Sequence, residues 1–587
     1  MKSRNTKILL IIILICFINR AENIFGGNHW QGIEGKEEIE DIYNEKFYLM
    51  TDRTIYATGE KILFKIFNIS PDPLKSIHWS KVIYLELTKD NGSAVQKAKY
   101  PLGYSGAKGY MVIPAKISSG YYYLRAYTKW MRNFPVSNFA FCRIKIINPF
   151  SAEIQEIKNA ENGSISYAES FINETLKENI ISCYTDKEIY TNREKVTLSV
   201  ELPEDAPHYR NEFCISVIKP GTLDTINYGM LSFNKQVNDQ QRLIEYIPDI
   251  RGVSVSGRVV EKGSGNPVNN TSVQLSILGN QFDFLKYNTG PDGKYIFSLP
   301  PLEGKKDMYI AARAEDTKPE ILIDNDFTAD AFYIKGEMFR LSDSEVDIAE
   351  EIMFNMQIER IYKPWKTRDS LFTPPDTIKR TFYSDPARIV FIDEYIELPT
   401  VEEVLFELVP EVIVKRRKDN ILLRVTNFEV NHPDLAIFEP LVLLDYIPVY
   451  NFENLLKLSP SKISRIEVLN EIFIKGTNRF GGIISIFSRK GDIAGVDLPE
   501  NSLFFEYYTF TRQDDVVFPD YNKNKGELNI PDYRNCLYWN PGIKLDNNMK
   551  AGLEFFTSDR KGKYMVVVRS ATGDGQIIEG KCTFRVK

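Results

Sequence analysis

The chain has 587 residues, with 73 Lys and Arg against 79 Asp and Glu and a net charge of −6. That length predicts roughly three to five domains. The balance of 43% hydrophobic and 26% charged residues argues against wholesale disorder, and the lack of a basic excess argues against a dedicated nucleic-acid binder.

The amino terminus has the order of an export signal. Lys2, Arg4 and Lys7 precede an apolar run from Ile8 to Ile18. Such a run is too short to span a bilayer and suits the core of a signal peptide, so residues 1–22 are expected to be one and the protein to be exported. Lipidation of Cys16 is the alternative, although bulky Ile15 stands where a lipidation signal wants a small residue. No later segment reaches 18 apolar residues, so the mature chain is expected to have no helical membrane span. With Cys16 in the leader, Cys142, Cys183, Cys214, Cys536 and Cys582 remain. At most two disulfides fit that number, and the strand-embedded Cys142 and Cys214 are expected to be reduced and buried.

After a polar linker at 23–45, residues 46–149 read as a β-sandwich. Strand-like runs at 47–50 and 62–67 flank a turn at Gly59-Glu60, and further strands follow at 82–87, 109–114 and 120–127. A polar linker at 150–180 precedes a repeat. Thr185-Asp186-Lys187-Glu188-Ile189-Tyr190 mirrors Thr51-Asp52-Arg53-Thr54-Ile55-Tyr56, so a second sandwich is expected over 181–250, with Tyr56 and Tyr190 in equivalent places. The pattern D-[KR]-x-x-Y, followed by G-x-Y strands, resembles macroglobulin-type sandwich domains. The Cys-Gly-Glu-Gln thioester of protease-trapping macroglobulins is missing, so covalent trapping is not implied.

Residues 251–335 resemble the carboxypeptidase regulatory-like sandwich, through Gly257-Arg258-Val259, Pro267-Val268, Val273-Gln274-Leu275 and Asp292-Gly293-Lys294-Tyr295-Ile296-Phe297. Asp-Gly supports a tight turn, and Tyr295 and Phe297 share one strand face. In its family this is a non-catalytic module. Residues 336–395 are expected to hold a helix, opened by the capping box Ser342-Asp343-Ser344-Glu345 and closed by Pro364, and then a linker.

Residues 396–492 combine a helix near Val401 with "PLVLLDYIPVYN", "SPSKISRIEVLN" and "FGGIISIFSRKG". In order and spacing this resembles the plug domain of TonB-dependent outer-membrane receptors, with Tyr446 standing where that family usually has Gly. Asp445 is expected to end a strand and cap a turn. Lys415 to Lys418 read as a charged hairpin tip. The 95 residues after 492 cannot supply a 22-strand barrel, which needs about 220 residues in strands alone. Residues 493–587 are expected to form one more sandwich, since Gly562-Lys563-Tyr564 repeats the Gly120-Tyr121-Tyr122 pattern.

The expected fold class is therefore mainly β and multidomain: tandem β-sandwiches plus one α+β plug-like domain. None of G-x-S-x-G, a P-loop, HExxH or a strand-linked GxGxxG occurs, so no catalytic, cofactor-binding or metal residue is assigned and an enzyme is not expected. Asp324-Asn325-Asp326 with Asp330 fails the EF-hand pattern at Ala329 and Lys335. The candidate interaction face is on strand 120–127. Tyr122, Leu124 and Ala126 share the side assigned to the core, which leaves Tyr121, Tyr123, Arg125 and Tyr127 facing outward to a partner or a neighbouring domain. The resulting expectation is a non-enzymatic envelope protein, periplasmic or outer-membrane associated or at the cell surface. Its plug-like domain would dock on another envelope protein such as an outer-membrane barrel. An accessory to TonB-dependent uptake and a secreted surface protein with a C-terminal sorting domain are the alternatives.

Overall fold

The computed structural model describes residues 45–587 apart from 71–79, 156–166, 173–175, 204–208, 225–227, 234–243, 280–281, 314–317, 330–332, 335–336, 363–381, 418–419, 429–434, 436, 477, 497, 500 and 524–528. The expected signal peptide, the linker to residue 44, Pro364 and all four histidines lie outside the described residues. The fold is mainly β, with several separate open sheets and few helices. Among the described residues no helix is long and apolar enough to cross a membrane.

Two sandwiches share one plan. In the first, Phe47–Thr51, Lys61–Asn68 and Gly106–Val112 form a three-stranded sheet in that order. Facing it, Ala140–Ile147, Gly120–Tyr127, Val82–Thr88 and Ala94–Pro101 form a sheet to which Ile55–Ala57 adds in parallel. Phe64, Ile66, Leu85, Tyr122 and Leu124 fill the space between, each wholly out of solvent. Burying a side chain of that size stabilises by about 1.5–3 kcal/mol.

The second sandwich repeats this order strand for strand. Ser182–Thr185, Lys195–Glu201 and Lys550–Phe556 make the three-stranded sheet. Ile577–Val586, Gly562–Thr572, Tyr209–Ile218 and Cys536–Ile543 make the facing sheet, with Ile189–Tyr190 added in parallel to Ile577–Val586. This corrects the expected division of the chain. Residues 181–250 and 493–587 do not hold two sandwiches: strands from both ends of that span close a single one. Ile218 pairs with Cys536 in register, and everything between them is inserted into this sandwich. Local patterning identifies strands but not partners, and here the completing strand comes more than 300 residues later.

The expected 150–180 linker is corrected as well. Tyr167–Ile172 pairs with Tyr228–Phe233, which extends the larger sheet of the first sandwich, and Leu176–Lys177 pairs with the last strand of the chain.

After Tyr228–Phe233, the insert continues with a third sandwich. One sheet has the order Lys294–Ser298, Ser254–Glu261, Pro319–Ile323, and the other Asp283–Asn288, Ser272–Ile277, Lys305–Arg313, Ser502–Tyr508. The last strand of that second sheet comes from the expected terminal segment. Gly293 takes φ 71° in the turn after Asp292, and a Cβ there would sit 2.5 Å from the Val259 carbonyl oxygen, so glycine is required. Helix Asp343–Tyr362 starts at the capping box: Glu345 accepts from the Ser342 backbone N–H at 2.8 Å. Its Ala349 and Ile352 pack on Ile55, Ala57 and Ile147 of the first sandwich, while Glu351 pairs with Lys219 and Arg560 of the second.

The remaining unit is α+β. Arg388–Phe391, Ile463–Lys475, Asn478–Ser488, Leu441–Leu444 and Ile447–Pro448 form one sheet, joined by helix Val401–Leu408 and the hairpin Val412–Arg417 with Asn420–Val425. Asp445 and Tyr446 both have positive φ in the turn between two of these strands, a conformation that favours glycine and costs another L-residue about 1–2 kcal/mol. Asp445 accepts from the backbone N–H groups of Ser488 and Ile493, both at 2.8 Å. The Tyr446 ring stacks on Phe282 of the third sandwich with centroids 3.6 Å apart.

Candidate functional site

Strand Gly120–Tyr127 runs through the middle of the larger sheet of the first sandwich, between Ala140–Ile147 and Val82–Thr88. Alternation along it puts Tyr122, Leu124 and Ala126 in the core, where all three are fully buried. Of the two expectations for the opposite face, a partner or a neighbouring domain, the contacts within the chain match the second. Tyr121 is half-buried, but Tyr123, Arg125 and Tyr127 are only 4%, 2% and 0% exposed. Chain from two hundred residues away covers them. The Thr328 N–H donates to the Tyr127 hydroxyl at 2.9 Å, and Phe339 meets the Tyr121 ring edge-on at 5.4 Å.

A buried guanidinium needs a partner of opposite charge. Arg125 Nε donates to Glu86 Oε2 at 2.6 Å, and the Tyr127 hydroxyl donates to the same oxygen at 2.9 Å. The Tyr127 ring stacks between Phe139 at 4.5 Å and Tyr84 at 5.7 Å. Burial, together with the neighbouring Glu86 carboxylate, pushes the Tyr127 hydroxyl well above the ordinary tyrosine range, so it stays protonated as a donor.

Beside this lies a second buried cluster that joins the first and third sandwiches. Lys99 Nζ is 2.5 Å from Asp326 Oδ2, donates to the Tyr508 carbonyl at 2.7 Å and sits 4.1 Å from the Tyr507 ring centroid. The Tyr84 hydroxyl donates to Asp249 Oδ2 at 2.7 Å, and Ser254 donates to the other Asp249 oxygen. Lys129 Nζ reaches Ser254 Oγ at 3.3 Å and Ser256 Oγ at 3.1 Å. Burial raises the Asp249 carboxyl against the pull of Lys129, and burial lowers the Lys99 ammonium against the pull of Asp326. The Asp324-Asn325-Asp326 segment, which fails the calcium pattern, is engaged here. Asp326 binds Lys99, Asp324 accepts from Ser256 at 2.7 Å, and Arg132 donates to the Asn325 and Asp326 carbonyls at 2.9 Å each; Asp330 lies outside the described residues.

The arrangement therefore braces one sandwich against another through paired charges and neutral hydroxyl donors. A shallow cleft remains at its edge, lined by Asp90, Tyr121, Tyr123, Gln155, Glu337 and Phe339. Among the described residues no group of three or more His, Cys, Asp or Glu side chains is placed to hold a metal ion. Sequence reading missed Tyr84, Lys99, Asp249 and Tyr507, and took Asp326 only as part of a failed calcium pattern, because no periodic pattern links positions so far apart. A lysine in an otherwise strand-like run, as at Lys99, is the one local sign.

No protein-family profile and no curated protein matches the chain. Among solved structures it is similar to the α-2-macroglobulin of Salmonella reacted with methylamine, at 9% identity and a TM-score of 0.23, covering 93% of this chain and 39% of that one. It is similar to trypsin-activated α-2-macroglobulin of Escherichia coli at 9% identity and a TM-score of 0.22, covering 93% and 41%. It is also similar to dimeric latent PorU of Porphyromonas gingivalis at 10% identity and a TM-score of 0.14, covering 50% and 34%. The chain thus spans about two fifths of the macroglobulins it matches. At these scores the sandwich assignment rests on the strand order and register above.

Proposed function

We propose that this is an exported, non-enzymatic binding protein of the cell envelope. Its macroglobulin-like and regulatory-like sandwiches form a frame, and the frame presents the plug-like unit of residues 396–492 to a partner in the outer membrane. The observation that carries this reading is the contrast between how that unit is held and what it leaves uncovered. On one side it is seated firmly: Phe284 is buried against Leu441, Leu443, Leu469 and Ile483, and Asp283 pairs with Lys475. Yet Ile396 and Phe406 keep 90% and 79% of their surface exposed, and Phe428 and Ile474 are exposed too. Large apolar side chains left in water are typical material for a docking contact. The strands from Cys536 onward are woven into the second sandwich, which favours docking over a reading in which they act as a detachable sorting signal.

The test is a photo-reactive residue at position 406 of the full chain in its native host. The reading expects an adduct with an outer-membrane protein, lost when Ile396→Asp is added. An exported and folded chain that gives no adduct at 406, or gives the same adduct from exposed Lys563 on the frame, sinks it.

A further inference from the structure

Five cysteines lie among the described residues, none of them in a disulfide. Cys142, Cys214 and Cys536 are buried, whereas Cys183 and Cys582 are half-buried and open to a small reagent. These two belong to strands of different sheets in the second sandwich, and on opposite sides of the insertion. Cys183 lies on Ser182–Thr185, which pairs with Lys195–Glu201, and Cys582 lies on the last strand, which pairs with Gly562–Thr572.

The chain from 176 to 190 travels along that last strand in the same direction. Leu176 pairs with Ile577 and Lys177 with Ile578. The Ile180 and Ile181 N–H groups donate to the Glu579 carbonyl at 3.0 and 3.3 Å, and a Cβ on Gly580 would lie 2.0 Å from the Ile181 carbonyl oxygen. Further along, Ile189 pairs with Arg585 and Tyr190 with Val586. Contacts on both sides thus set Cys183 beside Cys582, with both packed against the sandwich core. The neighbouring Cys183 thiol holds the Cys582 thiol below its ordinary value, against the effect of burial, which favours the thiolate on Cys582.

We propose that Cys183 and Cys582 form a disulfide when the folded chain meets a disulfide oxidant, whether a protein thiol oxidase or oxidised glutathione. The inference stands on this geometry and not on the functional reading above. The Cys582 thiolate attacks one sulfur of the oxidant, the oxidant's S–S bond breaks, and its other sulfur leaves as a thiolate. Cys183, deprotonated by that leaving thiolate, then attacks Cys582 Sγ and expels the second oxidant thiolate. Two protein thiols are oxidised, one oxidant disulfide is reduced, and the two released thiols carry away the two protons. The new bond ties the first strand of the sandwich to its last. It gives a covalent link across an insertion whose two flanking halves are otherwise held together by strand pairing, packing and ion pairs. Closing so long a loop restricts the unfolded chain strongly.

The test uses the full chain, reduced and then exposed to oxidised glutathione, alkylated while folded and digested without reductant. The expected product is a peptide pair joined through Cys183 and Cys582, lighter by two hydrogen atoms than its parts. Cys142, Cys214 and Cys536 should take the alkylating agent only after unfolding. The denaturant midpoint should rise on oxidation and fall back with dithiothreitol, with no such rise in Cys582→Ser or Cys183→Ser. Recovery of Cys183 and Cys582 alkylated separately, or each carrying glutathione, overturns the proposal. An oxidised chain with an unchanged midpoint overturns the claim that the bond ties the halves together. The peptide map uses the unaltered chain, so it decides the first point even if a variant fails to fold.

Discussion

Tyr190 donates its hydroxyl to Asp186 Oδ1 at 2.8 Å, the same distance at which Tyr56 donates to Asp52 in the first sandwich. The rest of each loop matches. The Lys187 and Arg53 N–H groups donate to these tyrosine hydroxyls, and the Thr185 and Thr51 hydroxyls donate to the Lys187 and Arg53 carbonyls at 2.6 Å. Asp186 accepts from Thr197 N–H, and Asp52 from Leu63 N–H. Even the turn conformation is kept, with φ 88° at Gly59 and φ 56° at Arg193. Arg193 holds that unfavourable conformation while paired to Asp559.

The two loops differ in their surroundings, and that sets a prediction. Asp52 and Arg53 are buried together, while Asp186 and Lys187 are exposed. Asp52→Ala leaves a buried guanidinium short of a partner and should cost about 3–5 kcal/mol. Asp186→Ala loses exposed hydrogen bonds and should cost about 1 kcal/mol. Chemical denaturation of both variants checks the order, and an equal loss contradicts it.

Arg125 and Glu86 should behave as a unit. Either Arg125→Met or Glu86→Gln alone strands a buried group and is expected to destabilise by about 3–5 kcal/mol. The double variant should lose less than the sum of the two. A double-mutant cycle on unfolding free energy measures this, and strict additivity counts against the pair.

Asp249 gives a pH signature. Burial raises its carboxyl above the ordinary 3.8. Between that value and the folded-state value, the folded chain holds a proton the unfolded chain has released, so this group's contribution to stability falls as pH rises through the window. Asp249→Asn keeps one of the two acceptor oxygens that face Tyr84 and Ser254, puts an amide NH2 in place of the other, and does not titrate. The stability of the unaltered chain minus that of the variant should therefore decline from pH 4 upward. A difference that grows with pH would reverse the sign and contradict the assignment.

Part of this was legible in the sequence. The Thr51–Tyr56 and Thr185–Tyr190 repeat placed two tyrosines in matching positions, and alternation put Tyr122, Leu124 and Ala126 in the core. Both signals are local, set by backbone geometry within a few residues. Which residues cover Tyr123, Arg125 and Tyr127 was not legible, because Thr328 and Phe339 reach that face only through the tertiary fold. The Gly562-Lys563-Tyr564 strand was recognised as a copy of Gly120-Tyr121-Tyr122. That it completes the sandwich begun at Ser182 could not be read, since strand pairing over such a distance leaves no periodicity.

One sandwich is split around the insert. Among the ion pairs that cross the split are Lys195 Nζ to Glu554 Oε1 at 2.7 Å and Lys550 Nζ to Glu201 Oε1 at 2.8 Å, both accessible to solvent. Zero-length carbodiimide coupling of the native chain, followed by peptide mass spectrometry, should recover amide links between Lys195 and Glu554 and between Lys550 and Glu201. Links confined within residues 181–250 and within 493–587, with none joining the two, would contradict the split sandwich and the frame built on it.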